Sequence, residues 1–220
     1  MAKTITTREE ITEVAFRYIN EHGLDGFSMR SIAQELGMGT MSVYRYFDNK
    51  DQLLSAVGKR LRKEYDNRPI PGERWDDTLR RTVGSIRKID LKYYRVWSAE
   101  RSTLLARGFS PSTRFHTRRI YSLHKDQGIP VEVYRRLWAL IEAYLIGFIS
   151  QEIAQIGATW EHADPADPDY AWLTIAENAY NDESFMNGLE LIIDGVRAYA
   201  APDPCEWYTP VDPSQWTWTE

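Results

Sequence analysis

The chain has one cysteine, Cys205, in 220 residues. An intramolecular disulfide framework and any cysteine-rich zinc site are thereby excluded. Proline and glycine are sparse, 10 and 13 in number, and they cluster at joints: Pro69–Gly72, Gly108–Pro111, Gly128–Pro130, Gly157–Pro168 and the tail from Pro202. No alternating strand pattern, internal repeat or low-complexity run stands between these joints. The most apolar stretch, Ala143 to Ile149, is far short of the ~20 residues of a membrane span. The N-terminal segment is charged and lacks the apolar centre of a secretory signal, and there is no Asn-x-Ser/Thr site. The expectation is a soluble cytoplasmic protein with no membrane partner. A glycine-rich phosphate loop, a His-Glu-x-x-His helix and a nucleophile elbow are all missing, which argues against an enzyme. His116, His124 and His162 show no metal-ligand spacing, so no metal and no cofactor is expected.

What is present is a chain able to bury a core. Hydrophobic residues make up 43% and aromatics 13%, which excludes a disordered protein. Charge is unevenly placed. The net charge of −5 speaks at first against a nucleic-acid partner. Residues 1–68, however, carry 11 basic and 10 acidic groups, residues 69–136 carry 15 and 7, and residues 137–220 carry 1 and 15. Fields are local beyond a Debye length of ~8 Å at physiological salt. The acidity therefore belongs to the last third and leaves the first 68 residues free to meet phosphate.

The pattern is helical from end to end, so the fold class is all-α. Thr7 and Glu10 have the spacing of a capping box. Ile11, Val14, Ala15, Tyr18 and Ile19 then follow on one helical face, and Gly23 ends the helix. Ser28 caps a short second helix that turns Ile32, Ala33 and Leu36 inward, and Gly37 breaks it. Thr40 caps a third helix reaching Phe47. Asn49 and Gln52 open a fourth, with Leu53, Leu54 and Val57 inside. Two short helices about a glycine turn, packed on a longer one, make a helix-turn-helix. Thr40, Ser42, Tyr44 and Arg45 occupy the exposed side of its third helix, while Val43 and Phe47 face the core.

Residues 7–57 resemble the DNA-binding domain of the tetracycline-repressor (TetR) family of bacterial regulators. The likeness is carried by residues 23–57, GLDGFSMRSIAQELGMGTMSVYRYFDNKDQLLSAV. They hold the Phe27-Ser28 opening with Arg30, Ile32 and Ala33, the Leu36-Gly37 turn, Val43-Tyr44-Arg45-Tyr46-Phe47, and the Asn49-Lys50-Asp51 closure. Phe185 to Gly195 looks like the last dimer helix of the tetracycline-repressor branch. The resemblance implies that Ser28 and Arg30 reach phosphate or a base edge. It places Thr40, Met41 and Ser42 in the major groove. It makes Tyr44 and Tyr46 phosphate-clamping aromatics and Lys50 the basic group at the fourth helix. Arg45 either reads a guanine bidentately or neutralises phosphate.

Three parts are expected: 1–68 as the helix-turn-helix domain, 69–201 as a larger helical ligand-binding and dimerisation domain, and 202–220 as a Pro/Trp-rich tail. Helices are expected over Trp75–Ile89, Leu91–Leu105, Pro111–Gln127 and Val131–Ile156. The middle ones would enclose a pocket with Trp97, Phe109, His116, Tyr121, Trp138, Glu142 and Tyr144 as candidate lining, since pockets combine apolar walls with a few polar groups. Val131–Ile156 is apolar nearly all round and so calls for burial on all sides, which implies a second subunit. Leu145 and Phe148 on that helix, with Leu189, Ile192, Val196 and Tyr199 on the last, are the expected dimer contacts of a four-helix interface. The tetracycline-repressor branch would supply metal-ligating groups that this chain lacks: Tyr65 and Asn67 stand near one such position, Ser98 to Glu100 near another, and Gln151 where a carboxylate would be. The expected effector is therefore an unidentified small molecule other than tetracycline–magnesium. The functional expectation is a ligand-responsive DNA-binding transcriptional regulator, a homodimeric repressor released from a palindromic double-stranded DNA operator. The alternatives are a constitutive DNA-binding protein with a vestigial pocket, or a helical small-molecule enzyme.

Overall fold

A computed structural model describes residues 7–68, 70–107, 127, 129–156, 166, 168 and 179–200. The side chains of 103–107 and 199–200 fall outside that description. Among the described residues all regular structure is α-helical: α1 Arg8–His22, α2 Met29–Glu35, α3 Thr40–Tyr44, α4 Lys50–Arg62, α5 Trp75–Lys92, α6 Tyr94–Arg107, α7 Val131–Gln155 and α8 Asp182–Ala200. The chain divides into two compact units, Met1–Tyr65 with Lys88–Arg114, and Asp66–Arg87 with Phe115–Glu220.

The first unit is built from local signals. Thr7 and Glu10 form the capping box of α1, hydroxyl to Glu10 N–H at 3.1 Å and carboxylate to Thr7 N–H at 2.9 Å. Gly23, at φ 68°, closes that helix. The end of α2 needs a left-handed residue to return its last carbonyls. Gly37 supplies it at φ 63°, with Gly37 N–H on Gln34 O and Met38 N–H on Ala33 O, the paired bonds of a Schellman ending. The core then closes over Ile11, Ala15, Ile19, Ile32, Val43, Phe47, Leu53, Val57 and Leu61. Val43 and Phe47 are fully buried. Val96 and Ala99 of α6 belong to the same core, and Ile89, Tyr93 and Trp97 pack against it. This is why the last residues of α5 and all of α6 join the helix-turn-helix rather than the second unit.

A buried polar cluster sits in this unit. The Tyr65 hydroxyl donates to Asp90 Oδ1 at 2.5 Å, and Arg62 pairs with Glu100 at 2.5 Å. Burial raises the Asp90 carboxyl to about 7, with Glu100 adding to the rise and Tyr65, Arg101 and Arg62 opposing it. Burial and the same carboxyl hold the Tyr65 phenol well above its ordinary range. Glu100 lies directly over Gly58, where a Cβ would overlap its carboxylate.

In the second unit, Leu79 and Val83 of α5, Leu137, Ile141 and Ile149 of α7, and Phe185, Leu189 and Ile193 of α8 are wholly buried. Arg87 joins Glu152 through two guanidinium contacts, and both groups are buried. Arg80 donates to both oxygens of Glu190, at 2.5 and 2.7 Å, and Arg197 reaches Asp76. These three pairs tie α5 to α7 and α8. The Asp76 carboxyl is buried, which works against its charge. Arg74, Arg80 and Arg197 more than offset this and hold it below the ordinary carboxylate value. By length and composition α7 could span a membrane, yet it buries Tyr134, Leu137, Trp138, Ile141, Leu145, Phe148, Ile149 and Glu152 within its own unit.

Candidate nucleic-acid interface

The candidate DNA-facing residues sit around α2, α3 and the start of α4. Ser28 is the N-cap of α2; its hydroxyl accepts from Ser31 N–H at 3.0 Å while Ser31 Oγ accepts from Ser28 N–H at 2.9 Å. Its side chain is thus engaged in a reciprocal cap and stays half-buried. Arg30, one residue into the helix, is exposed.

α3 is only five residues long and differs from expectation at both ends, stopping at Tyr44 rather than Phe47. Gly39, not Thr40, is the N-cap, with no side-chain cap hydrogen bond. Thr40 is the first helical residue, so its hydroxyl lies one position past the cap. The cause is the backbone: Gly39 takes the extended conformation (φ −72°, ψ 146°) that the cap requires, leaving Thr40 inside the helix. Outward from the buried Val43 and Phe47, Met41 is 76% exposed and Tyr44 43%. Arg45 is exposed, while Thr40, Ser42 and Tyr46 are half-buried. Lys50 opens α4 behind the Asn49 cap, whose Oδ1 accepts from Gln52 N–H at 2.9 Å. Its ammonium is exposed and lies 5.2 Å from the Phe27 ring centre. Every residue expected at DNA is therefore at or near the surface, on elements held by a dry core. Such an arrangement can present a helix N-terminus and a mixed polar, aromatic and cationic face to a groove.

One participant had only a faint signal in the sequence. Arg8 follows the Thr7 cap, so it stands at the positive end of α1, where a cation is locally unfavourable. Its guanidinium donates to the Tyr46 carbonyl and lies 4.1 Å from the centre of the Phe47 ring. Nearby, α1 and α4 border a groove of about 570 Å³. Its rim mixes Arg8, Lys59, Arg60 and Lys63 with Glu9, Glu13 and Glu64, and Arg60 is paired with Glu13 and Glu64.

Of the expected ligand-binding residues, Trp97, Trp138, Glu142 and Tyr144 are described. Phe109, His116 and Tyr121 lie outside the described residues. Trp97 packs on the first unit's core, with Arg101 5.8 Å from its ring centre. Trp138, Glu142 and Tyr144 are on α7. Trp138 is buried with its indole N–H unpartnered, and Glu142 is half-buried. Tyr144 is committed to helix packing: its hydroxyl donates to Phe185 O at 2.9 Å and its ring stacks on Phe185 at 5.2 Å. Burial raises this phenol to about 12. A Cβ at Gly188 would strike it, so that glycine permits the contact.

The expected dimer contacts lie mostly on the inner faces of α7 and α8. Leu145, Phe148, Leu189 and Val196 are all buried within their own unit. Ile192 is half-buried, and the Tyr199 side chain is outside the described residues. The strongest apolar stripe of α8 is consumed by its packing on α7. The exposed stripes are different: Ala139, Leu140, Ala143 and Gly147 on α7, and Asn187, Leu191, Gly195 and Ala198 on α8. Leu140 is 53% and Leu191 75% exposed.

Comparison with known proteins agrees with this geometry. Residues 11–57 match the family described as "Bacterial regulatory proteins, tetR family". The HTH-type transcriptional repressor DrrR1 of Streptomyces coeruleorubidus is 27% identical over 157 residues, 70% of this chain and 56% of that protein. The class D tetracycline repressor protein of Escherichia coli is 33% identical over 88 residues, 39% of this chain and 40% of its own length. The chain thus spans about half the length of these relatives, or less. The crystal structure of the Streptomyces coelicolor TetR family protein ActR in complex with actinorhodin matches in fold, with a TM-score of 0.69 at 25% identity, covering 91% of this chain and 99% of that one.

Proposed function

We propose, from a helix-turn-helix domain that is that of the tetR family of bacterial regulatory proteins, that this chain is a ligand-responsive DNA-binding transcriptional repressor. The observation that carries the reading is α3: buried Val43 and Phe47 fix it, and Met41, Ser42, Tyr44 and Arg45 project from it beside Arg30 and Lys50. Side chains at the start of such a helix enter the major groove, while Tyr and Lys hold phosphates. A few cations suffice, because affinity from phosphate neutralisation depends on proximity.

In this reading residues 1–68 contact DNA and residues 69–201 bind the effector and the second subunit. The dimer would form through Leu140, Ala143 and Gly147 with Leu191 and Gly195. No atom would meet a Cβ placed at either glycine, so a second helix pair can approach closely there. A two-fold dimer sets two recognition helices about one helical turn apart on a pseudo-palindrome. An effector in the second domain would favour a dimer geometry that fits the operator poorly, a coupling typically worth about 1–3 kcal/mol. ActR, crystallised with actinorhodin, supports a small organic effector. No catalytic role is assigned.

The test is selection of bound duplexes from a random-sequence pool, followed by affinity measurement on the recovered sequence. Tyr44→Ala and Lys50→Ala should each weaken binding about tenfold or more while leaving the oligomer intact by light scattering. If both variants bind as tightly as the parent, the DNA face has been wrongly assigned.

A further inference from the structure

The recognition helix has weak support of its own. It has five residues, no side-chain cap at its start, and Arg45 as its C-cap. A helix this short cannot hold its orientation by propensity, since nucleation costs more than so few bonds return. Burial of Val43 and Phe47 anchors its inner side. Just past its Arg45 C-cap, the Tyr46 carbonyl is met from another element by Arg8, 38 residues away in sequence.

Arg8 is poorly placed for its own helix. It occupies the first position of α1, next to the orphan N–H groups and the positive end of the dipole. Glu9 and Glu10 follow it and suit that end; Arg8 does not. A residue that breaks a local rule points to a gain elsewhere. Here the gain is twofold. The guanidinium lies 4.1 Å from the centre of the Phe47 ring, within cation–π distance, and it donates to the adjacent Tyr46 carbonyl. A planar fork can make both contacts at once, which an ammonium or an amide cannot reproduce. The partners flank the C-terminal end of α3, where a cation also favours the dipole.

We propose that Arg8 is a positioning residue for the recognition helix: it clamps the α3 end through Tyr46 and Phe47 and so fixes the direction in which Met41, Ser42, Tyr44 and Arg45 face the bases. The inference rests on the DNA-binding reading. It assigns Arg8 to sequence discrimination rather than to general attraction for phosphate.

The experiment uses the full chain, a duplex selected by the parent protein from a random pool, and an unselected duplex of equal length. Arg8→Ala and Arg8→Gln are compared with the parent for affinity to both. Alanine at this position is a good helix former, and melting temperatures check that both variants fold. The expected result is a loss of about tenfold on the selected duplex with little change on the unselected one, so the specificity ratio falls. Amide hydrogen exchange across residues 40–47, measured without DNA, should quicken in both variants while α1 amides stay protected. Equal losses on both duplexes would make Arg8 a phosphate contact, and unchanged affinity for both would make it irrelevant; either overturns the inference alone. A parent protein that selects no sequence overturns the functional reading, and the role of Arg8 with it.

Discussion

Asp90 is the residue whose chemistry departs furthest from its type. It is buried at the end of α5 with Tyr65 donating to it, and burial pushes its carboxyl up to about 7, well above the ordinary carboxylate range. The native state therefore holds this proton more tightly than the unfolded chain does. The resulting stabilisation is complete below about pH 4, declines as pH rises, and is gone above pH 7. Asp90→Asn keeps an acceptor for Tyr65 and removes the titration. Urea denaturation at pH 5 and pH 8 should show the parent losing on the order of a few kcal/mol between them and the variant much less. Nothing in the local sequence Lys88-Ile-Asp-Leu-Lys announced this carboxyl, because its burial depends on Tyr65 and α6, which approach only in the folded chain. The surface candidates fared differently. Met41, Tyr44 and Arg45 were legible because Val43 in α3 and Phe47 just beyond it take the inward positions and leave few others outward.

At the scale of elements, local chemistry carried furthest. The Thr7–Glu10 box, the Ser28 and Asn49 caps and the Gly23 and Gly37 endings are decided within a few residues of chain. The α5–α6 boundary was less readable. α5 runs on to Lys92 and α6 spans Tyr94–Arg107, because Ile89, Tyr93 and Trp97 are held against the first unit's core. Contacts between helices were the least legible. Gly58 on α4 looks like an ordinary mid-helix glycine until Glu100 of α6 is seen to occupy the place of its side chain. Gly58→Ala should destabilise by about 1–3 kcal/mol despite the better helix propensity. Adding Glu100→Ala should recover part of that loss in thermal melts. If Gly58→Ala alone raises the melting temperature, α4 and α6 are less closely packed than described.

For the whole molecule, the all-helical class followed from hydrophobic period and joint placement; the grouping of Lys88–Arg114 with Met1–Tyr65 did not. The partner-facing surface did not. Periodicity shows that a helix has an apolar side; it does not say whether its own unit or a second subunit covers it. On α8 the fuller stripe went to α7, and the sparser one, with Leu191 and Gly195, stayed outside. Two substitutions separate these roles. Leu189→Ala, in the core, should cost about 2–5 kcal/mol of stability. Leu191→Glu should leave the fold intact and, if the proposed face is used, convert the dimer to monomer in sedimentation velocity. A dimer that survives Leu191→Glu together with Leu140→Lys would remove this face from the proposal.

The first unit also has a history written into it. Its core is not finished by the residues that form the helix-turn-helix, because Val96 and Ala99 arrive from α6. During synthesis the ribosome therefore releases Ile11 through Leu61 well before the residues that complete their packing. For some thirty further residues of translation the nascent domain carries an open apolar side. A gene fragment ending at Arg68 would make that passing stage permanent.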